Sequence, residues 1–340
     1  MPEYNGVLVP EEVLPLLANA GRTDLDVYGY RLLSGERVSR LLRRAGLRTE
    51  ARHFSHRWRF AANTPFDDIR SIWFAPDAQF DSREARELLA RLPALRSVYW
   101  QRTGLDSLPV AEFVDRGVRV TSGRGLTTRW VAEAIVACIL ADAKMLTLSA
   151  RGHIPPLSCF TRALDSLHVA ILGTGQIGRE TARLCQGLGM RVTGLSRTEE
   201  ARATLKSIFT EVRLASNALQ STAAEADYLV LALPLTAESR EIVGAEVLDA
   251  LGSRGVLVNL ARPGLVDEPA MLRALERRRL GAAYVSRLGG GRWIQIKSRW
   301  TPHLFLTNNR EAHMREKSAR AAEQFLAMLD SENLRIYHHR

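Results

Sequence analysis

The stretch HVAILGTGQIG, from His168 to Gly178, constrains this 340-residue chain more than any other segment. An apolar run (Val169, Ala170, Ile171, Leu172) leads straight into Gly173-x-Gly175-x-x-Gly178, and helical spacing of Thr181, Ala182, Leu184, Cys185 and Leu188 comes next. Glycines at this spacing mean little alone. Between a strand and a helix each acquires a distinct task, which makes a dinucleotide-binding βαβ unit the expected fold. Gly173 permits the tight turn, Gly175 lets a pyrophosphate approach the backbone, and Gly178 lets helix and strand pack closely. Free amides at the helix start then hold the phosphates, with Gln176 and Ile177 among the binding residues.

The rest of the chain extends the same rhythm. Short apolar segments at Ser71–Ala75, Ser97–Gln101 and Val118–Val120 alternate with helical ones at Arg37–Gly46, Ser82–Leu92 and Val110–Arg116, as parallel βα units do. Thr127–Ser149 reads as a long helix, apolar on more than one face, of the kind buried between domains or subunits. Beyond the glycines, strands are expected at Arg191–Leu195, Asp227–Leu233, Gly255–Leu260, Leu280–Val285 and Leu304–Thr307. Helices are expected at Ala245–Leu251, Glu268–Arg278 and from Arg310 to Leu329.

Composition is that of an ordinary globular protein, 46% hydrophobic and 25% charged. The net charge of +10 comes from arginines spread along the chain, Lys144, Lys206, Lys297 and Lys317 being the only lysines. Without a basic stripe interleaved with aromatics, nucleic acid is not an expected partner, whereas a small anionic molecule is. Cys138, Cys159 and Cys185 are widely spaced, which points to a reducing compartment. No leader-like start and no long apolar run is present, so a cytoplasmic protein without membrane association is expected.

Four further segments then resemble, in order, one family: the NAD(P)-dependent D-2-hydroxyacid dehydrogenases, which include formate and glycerate dehydrogenases. QRTGLDSL (Gln101–Leu108) resembles the loop that grips the substrate carboxylate. VAEAIVACILA (Val131–Ala141) resembles the VAEH helix, with alanine for the histidine. ALPLTAESREIVGAEVLDAL (Ala232–Leu251) resembles the PLTxET segment, and NLARPGLVDEPAMLRAL (Asn259–Leu275) resembles NxARGxLVDExAL. The resemblance implies an α/β architecture, a Rossmann nucleotide-binding domain (123–308) inserted into a flavodoxin-like substrate domain (1–122 plus 309–340). It also implies an active site in the cleft between domains and a homodimer formed through the nucleotide-binding domain.

Residue by residue, the resemblance implies that Arg262 is the cation on substrate carboxylate and carbonyl; the alternative is an arginine that caps neighbouring carbonyls. Pro263 stands where the family has glycine and stiffens that turn. Arg102, Thr103 and Gly104 fall on the substrate loop, and Pro234 and Ser286 on the cofactor side. The proton-donating pair breaks the pattern. Asn309 stands at the family's histidine and Gly291 at its glutamate, with Ser286 at the neighbouring aspartate. An amide hydrogen-bonds a carbonyl but delivers no proton near neutral pH. His313, one helical turn beyond Asn309, is the first substitute donor; His153, Tyr284 and Lys297 are weaker ones, and His303 precedes the strand and falls at its far end. Arg292, Lys297 and Arg299, with Trp293 and Trp300, make a basic loop where the family is acidic. Arg292 is expected to touch an anionic substrate, unless the loop is simply solvated.

Cofactor choice rests on the residues after the second strand. Ser196-Arg197-Thr198 offers a small polar residue and a cation with no acid before Glu199, the pattern for NADP, with NAD as the alternative. The reading is an atypical NADP(H)-dependent oxidoreductase acting on an anionic carbonyl, imine or conjugated substrate. The alternative is a nucleotide-binding homologue without redox turnover, such as a sensor or partner subunit. A hydrolase is set aside, because no GxSxG elbow or metal-ligand spacing occurs.

Overall fold

The computed structural model describes residues 5–10, 25–33, 57–60, 66–74, 81–105, 108–146, 161–285 and 320–328. The chain divides into two compact units, one of Met1–Leu126 with Asn309–Arg340 and one of Thr127–Asn308.

The first unit holds strands β1 (Asn5–Pro10), β2 (Leu25–Leu33), β3 (Arg57–Phe60), β4 (Ile69–Phe74), β5 (Ser97–Trp100) and β6 (Arg119–Ser122). They form one sheet in the order β3-β2-β1-β4-β5-β6. From β2 to β6 all pairs are parallel, in the 2-1-3-4-5 order of a flavodoxin-like sheet. β3 adds to the edge antiparallel to β2, with Tyr30 opposite Phe60. That hairpin-like edge corrects the expectation of an unbroken parallel rhythm. Helices α1 (Ser82–Arg91) and α2 (Val110–Asp115) cover a core of Ile72, Phe74, Leu88, Val98, Trp100 and Phe113. A capping box starts α1: Asp81 accepts from the Arg83 and Glu84 amides at 2.9 Å, and Glu84 reaches back to the Asp81 amide. Residues 320–328 form a helix, α9, that packs on the same sheet. The Phe325 ring centroid lies 5.2 Å from that of Trp73, and Tyr99 Oη donates to Gln324 Oε1 at 2.9 Å.

The second unit begins with α3 (Thr128–Ala143) and continues through β7 (His168–Leu172), α4 (Gln176–Gly187), β8 (Arg191–Ser196), α5 (Glu199–Thr204), β9 (Glu211–Leu214) and α6 (Ala215–Glu225). It ends with β10 (Tyr228–Leu231), α7 (Ala245–Leu251), β11 (Val256–Asn259), α8 (Glu268–Glu276) and β12 (Ala282–Val285). The strand order is β12-β11-β10-β7-β8-β9, with every pair parallel. This is a doubly wound sheet whose order reverses at β7, so the carboxyl end of β7 is the topological switch point. β7, β10 and β11 are buried along their whole length, as strands covered on both faces must be. One face packs against α3 and α4 through Ile135, Ile139, Val169, Ile171, Ala182 and Cys185; the other packs against α6, α7 and α8. Cys138 and Cys185 are free, buried thiols, raised by burial to about 11 and about 12, and so inert at neutral pH. Cys159 lies outside the described residues.

The amino end of β7 carries a buried polar cluster. His168, 4% exposed, has Nε2 2.8 Å from Thr193 Oγ1 and Nδ1 2.7 Å from Arg191 Nη2. A guanidinium only donates, so Nδ1 accepts from Arg191 in a neutral ring and Nε2–H donates to Thr193. Burial, with the Arg191 charge, holds the imidazole below its ordinary 6.5. The unfolded chain therefore takes up a proton at this position before the folded chain does, and stability falls as pH drops through 6.5. The glutamates held low by arginine partners (Glu180 by Arg129, Glu211 and Glu225 by Arg213) act only below 4.5, in a separate window. We expect the melting temperature to fall between about pH 7.5 and pH 5.5. The fall should be shallower in His168→Gln; an unchanged slope would exclude His168 as its source.

Candidate functional site

Three strand ends meet at the switch point. The Gly173 amide donates to the Leu195 carbonyl at 3.0 Å, and the Ala232 amide donates to the Leu172 carbonyl at 2.8 Å. Gly173 has φ +106, and a Cβ there would lie 2.6 Å from the Ala232 carbonyl oxygen, so the turn admits only glycine. At Gly178 a Cβ would stand 2.0 Å from the Gly173 carbonyl oxygen; its absence lets α4 sit on β7. Gly175 differs from both. Its φ of −74 and ψ of −166 suit any residue, and a Cβ would meet nothing within 4 Å.

That open position is the N-cap of α4, and no side chain caps the helix there. Gln176 is exposed and Ile177 packs at the edge of the core beneath it. The space and the helix-start amides together fit a pyrophosphate, which a side chain at residue 175 would obstruct. Arg179, which the motif alone does not single out, anchors its Nε on the Thr174 carbonyl at 2.9 Å and brings a cation to the same turn.

At the end of β8, Ser196 is 2% exposed. Its hydroxyl donates to the Thr198 carbonyl at 3.0 Å and accepts from the Thr198 amide at 3.2 Å. Ser196 thus shapes the turn, while Arg197 and Thr198 stand exposed beyond it. Beyond β10, Pro234 is exposed and its carbonyl accepts from Ser239 Oγ at 2.8 Å; the same Oγ accepts from the Thr236 amide at 2.7 Å. This latch folds the loop back over the strand end.

Arg262 stands just past β11. Asn259, 3% exposed, accepts from the Ala261 amide at 3.1 Å and donates to the Arg262 carbonyl at 2.8 Å. Pro263 then opens a 3-10 turn over Pro263–Leu265, so the backbone of Arg262 is fixed on both sides. One of its N–H groups donates to the Ala261 carbonyl at 3.1 Å. Asn259 lies inside the NLARPG motif, yet only the structure shows its work.

In the first unit, the substrate-loop candidates come directly after β5. The Arg102 guanidinium carbon lies 6.0 Å from the centroid of the Trp100 ring, and Trp100 Nε1 donates to the Gly104 carbonyl at 2.9 Å. The Gly123 amide donates to the Arg102 carbonyl at 3.0 Å, and Thr103 is exposed. Gln101, unremarkable in the sequence, is 2% exposed; its Oε1 accepts from Trp73 Nε1 and its Nε2 has no partner.

The sheet of the second unit thus gathers Gly173, Gly175, Gln176, Ile177, Gly178, Ser196, Arg197, Thr198, Pro234 and Arg262 at its carboxyl edge. Asn309, His313, Ser286, Gly291 and Arg292 lie outside the described residues, as do His153, Lys297 and His303. Among the described residues no His, Cys, Asp and Glu group could hold a metal ion, and no helix is long and apolar enough to cross a membrane.

A doubly wound sheet with a glycine turn at its switch point defines a dinucleotide-binding α/β protein. Residues 145–286 match the profile of the D-isomer specific 2-hydroxyacid dehydrogenase NAD binding domain. A hydroxyphenylpyruvate reductase from Plectranthus scutellarioides is 33% identical over 222 residues, covering 64% of this chain and 67% of that protein. A glyoxylate/hydroxypyruvate reductase A from Arabidopsis thaliana is 32% identical over 206 residues, 58% of this chain; the match spans 62% of that relative's length. The chain belongs to the D-2-hydroxyacid dehydrogenase family. Its fold is also that of a glyoxylate reductase from Paecilomyes thermophila (TM-score 0.73, 18% identity, 99% of this chain and 98% of that one). The same holds for an NADPH-dependent glyoxylate/hydroxypyruvate reductase from Sinorhizobium meliloti solved with NADP and malonate (TM-score 0.69, 21% identity, 98% and 96%).

Proposed function

We propose that the chain is an NADP(H)-dependent oxidoreductase acting on a small anionic carbonyl, imine or conjugated substrate. The observation that carries this reading is the open, uncapped position at Gly175 between two glycines that cannot be anything else. The α4 amides and Gly175 hold the pyrophosphate, and Arg197, oriented by the Ser196–Thr198 turn, meets the adenosine 2′-phosphate. The chemistry such a cofactor brings is hydride transfer. What the chain supplies is charge and orientation: Arg262 on the substrate carboxylate and carbonyl, with Arg102, Thr103, Gly104 and Arg292 as further contacts. Its relatives' names specify keto acids (glyoxylate, hydroxypyruvate, hydroxyphenylpyruvate), in which a carboxylate adjoins a carbonyl as such a cation requires.

Asn309 hydrogen-bonds the carbonyl in this reading, and His313 or water delivers the proton. General acid catalysis contributes about two to four powers of ten, so an activated acceptor tolerates a weak donor. We place a homodimer contact on the face of α3 that carries Trp130, Ala134 and Ala137, which the unit's own core leaves partly or wholly exposed. The sequence at Asn309 and Gly291 favours one second reading, nucleotide binding without turnover. Stereospecifically deuterated NADPH separates the two: with glyoxylate or hydroxypyruvate the label must appear on the product carbon. Unlabelled product, or none, favours the second reading.

A further inference from the structure

The turn after β8 and the loop after β10 flank the glycine turn from opposite sides, because β8 and β10 are the two neighbours of β7. Their first residues are tied to it by the Gly173–Leu195 and Ala232–Leu172 hydrogen bonds. Arg197 stands two residues past Leu195, and Glu238 six past Ala232; both are exposed. The Ser239 latch to Pro234 and Thr236 fixes the loop that carries Glu238. We propose that Glu238 is an internal counter-ion to Arg197, which a 2′-phosphate must displace, and that it sets how strongly the chain prefers NADP to NAD.

The Thr236 hydroxyl and the residue's own amide hold the Glu238 carboxylate below its ordinary range, and the Arg197 charge adds to that. Glu238 is therefore ionised wherever a 2′-phosphate is. Its charge acts on that phosphate twice with the same sign, by repelling it and by competing for the guanidinium. NAD carries no such phosphate and is indifferent to both effects. Glu238 thus works as a specificity determinant that touches neither the reacting atoms nor the pyrophosphate. Two solvated charges exert a modest effect, screened within a Debye length of about 10 Å at 0.1 M salt.

The inference rests on the reading that Arg197 meets the adenosine end of the cofactor, so the experiment tests both parts. NADPH and NADH are titrated into the full chain by calorimetry, for wild type, Glu238→Gln, Arg197→Ala and the double variant. Glutamine keeps the shape and the Thr236 hydrogen bond and removes the charge; melting temperatures verify the fold. We expect Glu238→Gln to tighten NADPH about two- to fivefold at low salt, to leave NADH unchanged, and to lose its effect near 0.5 M salt. In the Arg197→Ala background the substitution should do less than half as much. If Arg197→Ala leaves NADPH affinity unchanged, the cofactor reading at Arg197 fails. If it weakens NADPH while Glu238→Gln moves neither nucleotide, or both equally, the counter-ion is overturned alone.

Discussion

Arg262→Ala is expected to lower kcat/KM for glyoxylate or hydroxypyruvate about 10²–10³-fold, with the melting temperature little changed. The guanidinium is placed by backbone rather than by side-chain packing: Asn259 holds the carbonyl of Arg262 and the amide of Ala261, and Pro263 stiffens the turn on the other side. Removing the side chain therefore leaves the turn in place. A planar fork matches a carboxylate with two parallel bonds, which an ammonium cannot do. Arg262→Lys should accordingly recover only part of the loss. Kinetics within threefold of wild type for Arg262→Ala would show that the residue merely caps the Ala261 carbonyl, the role its Nη1 already plays.

The doubly wound sheet is legible in the sequence because its central strands have one composition and one reason for it. Val169–Leu172, Tyr228–Leu231 and Val256–Asn259 are covered on both faces, and each reads as an unbroken apolar run. Where a strand lies at an edge, that signal fails. β9, Glu211–Leu214, has only Val212 buried, and neither it nor the helices on either side stand out in the sequence. The antiparallel β3 is hidden for a related reason. Arg57–Phe60 alternates charge and aromatic, and its pairing to Tyr30–Leu33 is decided by hydrogen bonds across more than twenty residues of chain.

The site divides in the same way. Gly173 and Gly178 can be assigned from spacing alone, since each answers a constraint within one βα turn. Asn259 and Arg179 act over two to five residues, but through hydrogen bonds to carbonyls that spacing does not specify. Ser196 is expected from its position to face the cofactor, and its hydroxyl instead closes its own turn. The approach of Glu238 to Arg197 is invisible in the sequence, because it depends on β7 lying between two strands more than thirty residues apart.

Gly175→Ala and Gly178→Ala separate architecture from binding. A methyl at residue 178 collides with the Gly173 carbonyl, and the strain is expected to cost about 1–3 kcal/mol of stability. A methyl at residue 175 enters open space on an ordinary backbone, so the free protein should lose less than about 1 kcal/mol. The same methyl occupies the place assigned to the pyrophosphate and should weaken nucleotide affinity about 100-fold or more. Calorimetric titration of wild type and Gly175→Ala with NADPH therefore bears most directly on what this turn is for. Saturable binding to wild type, lost in a variant that melts like it, is the predicted result. Equal affinity for the two proteins, or no binding of NADPH or NADH to wild type, would contradict the account.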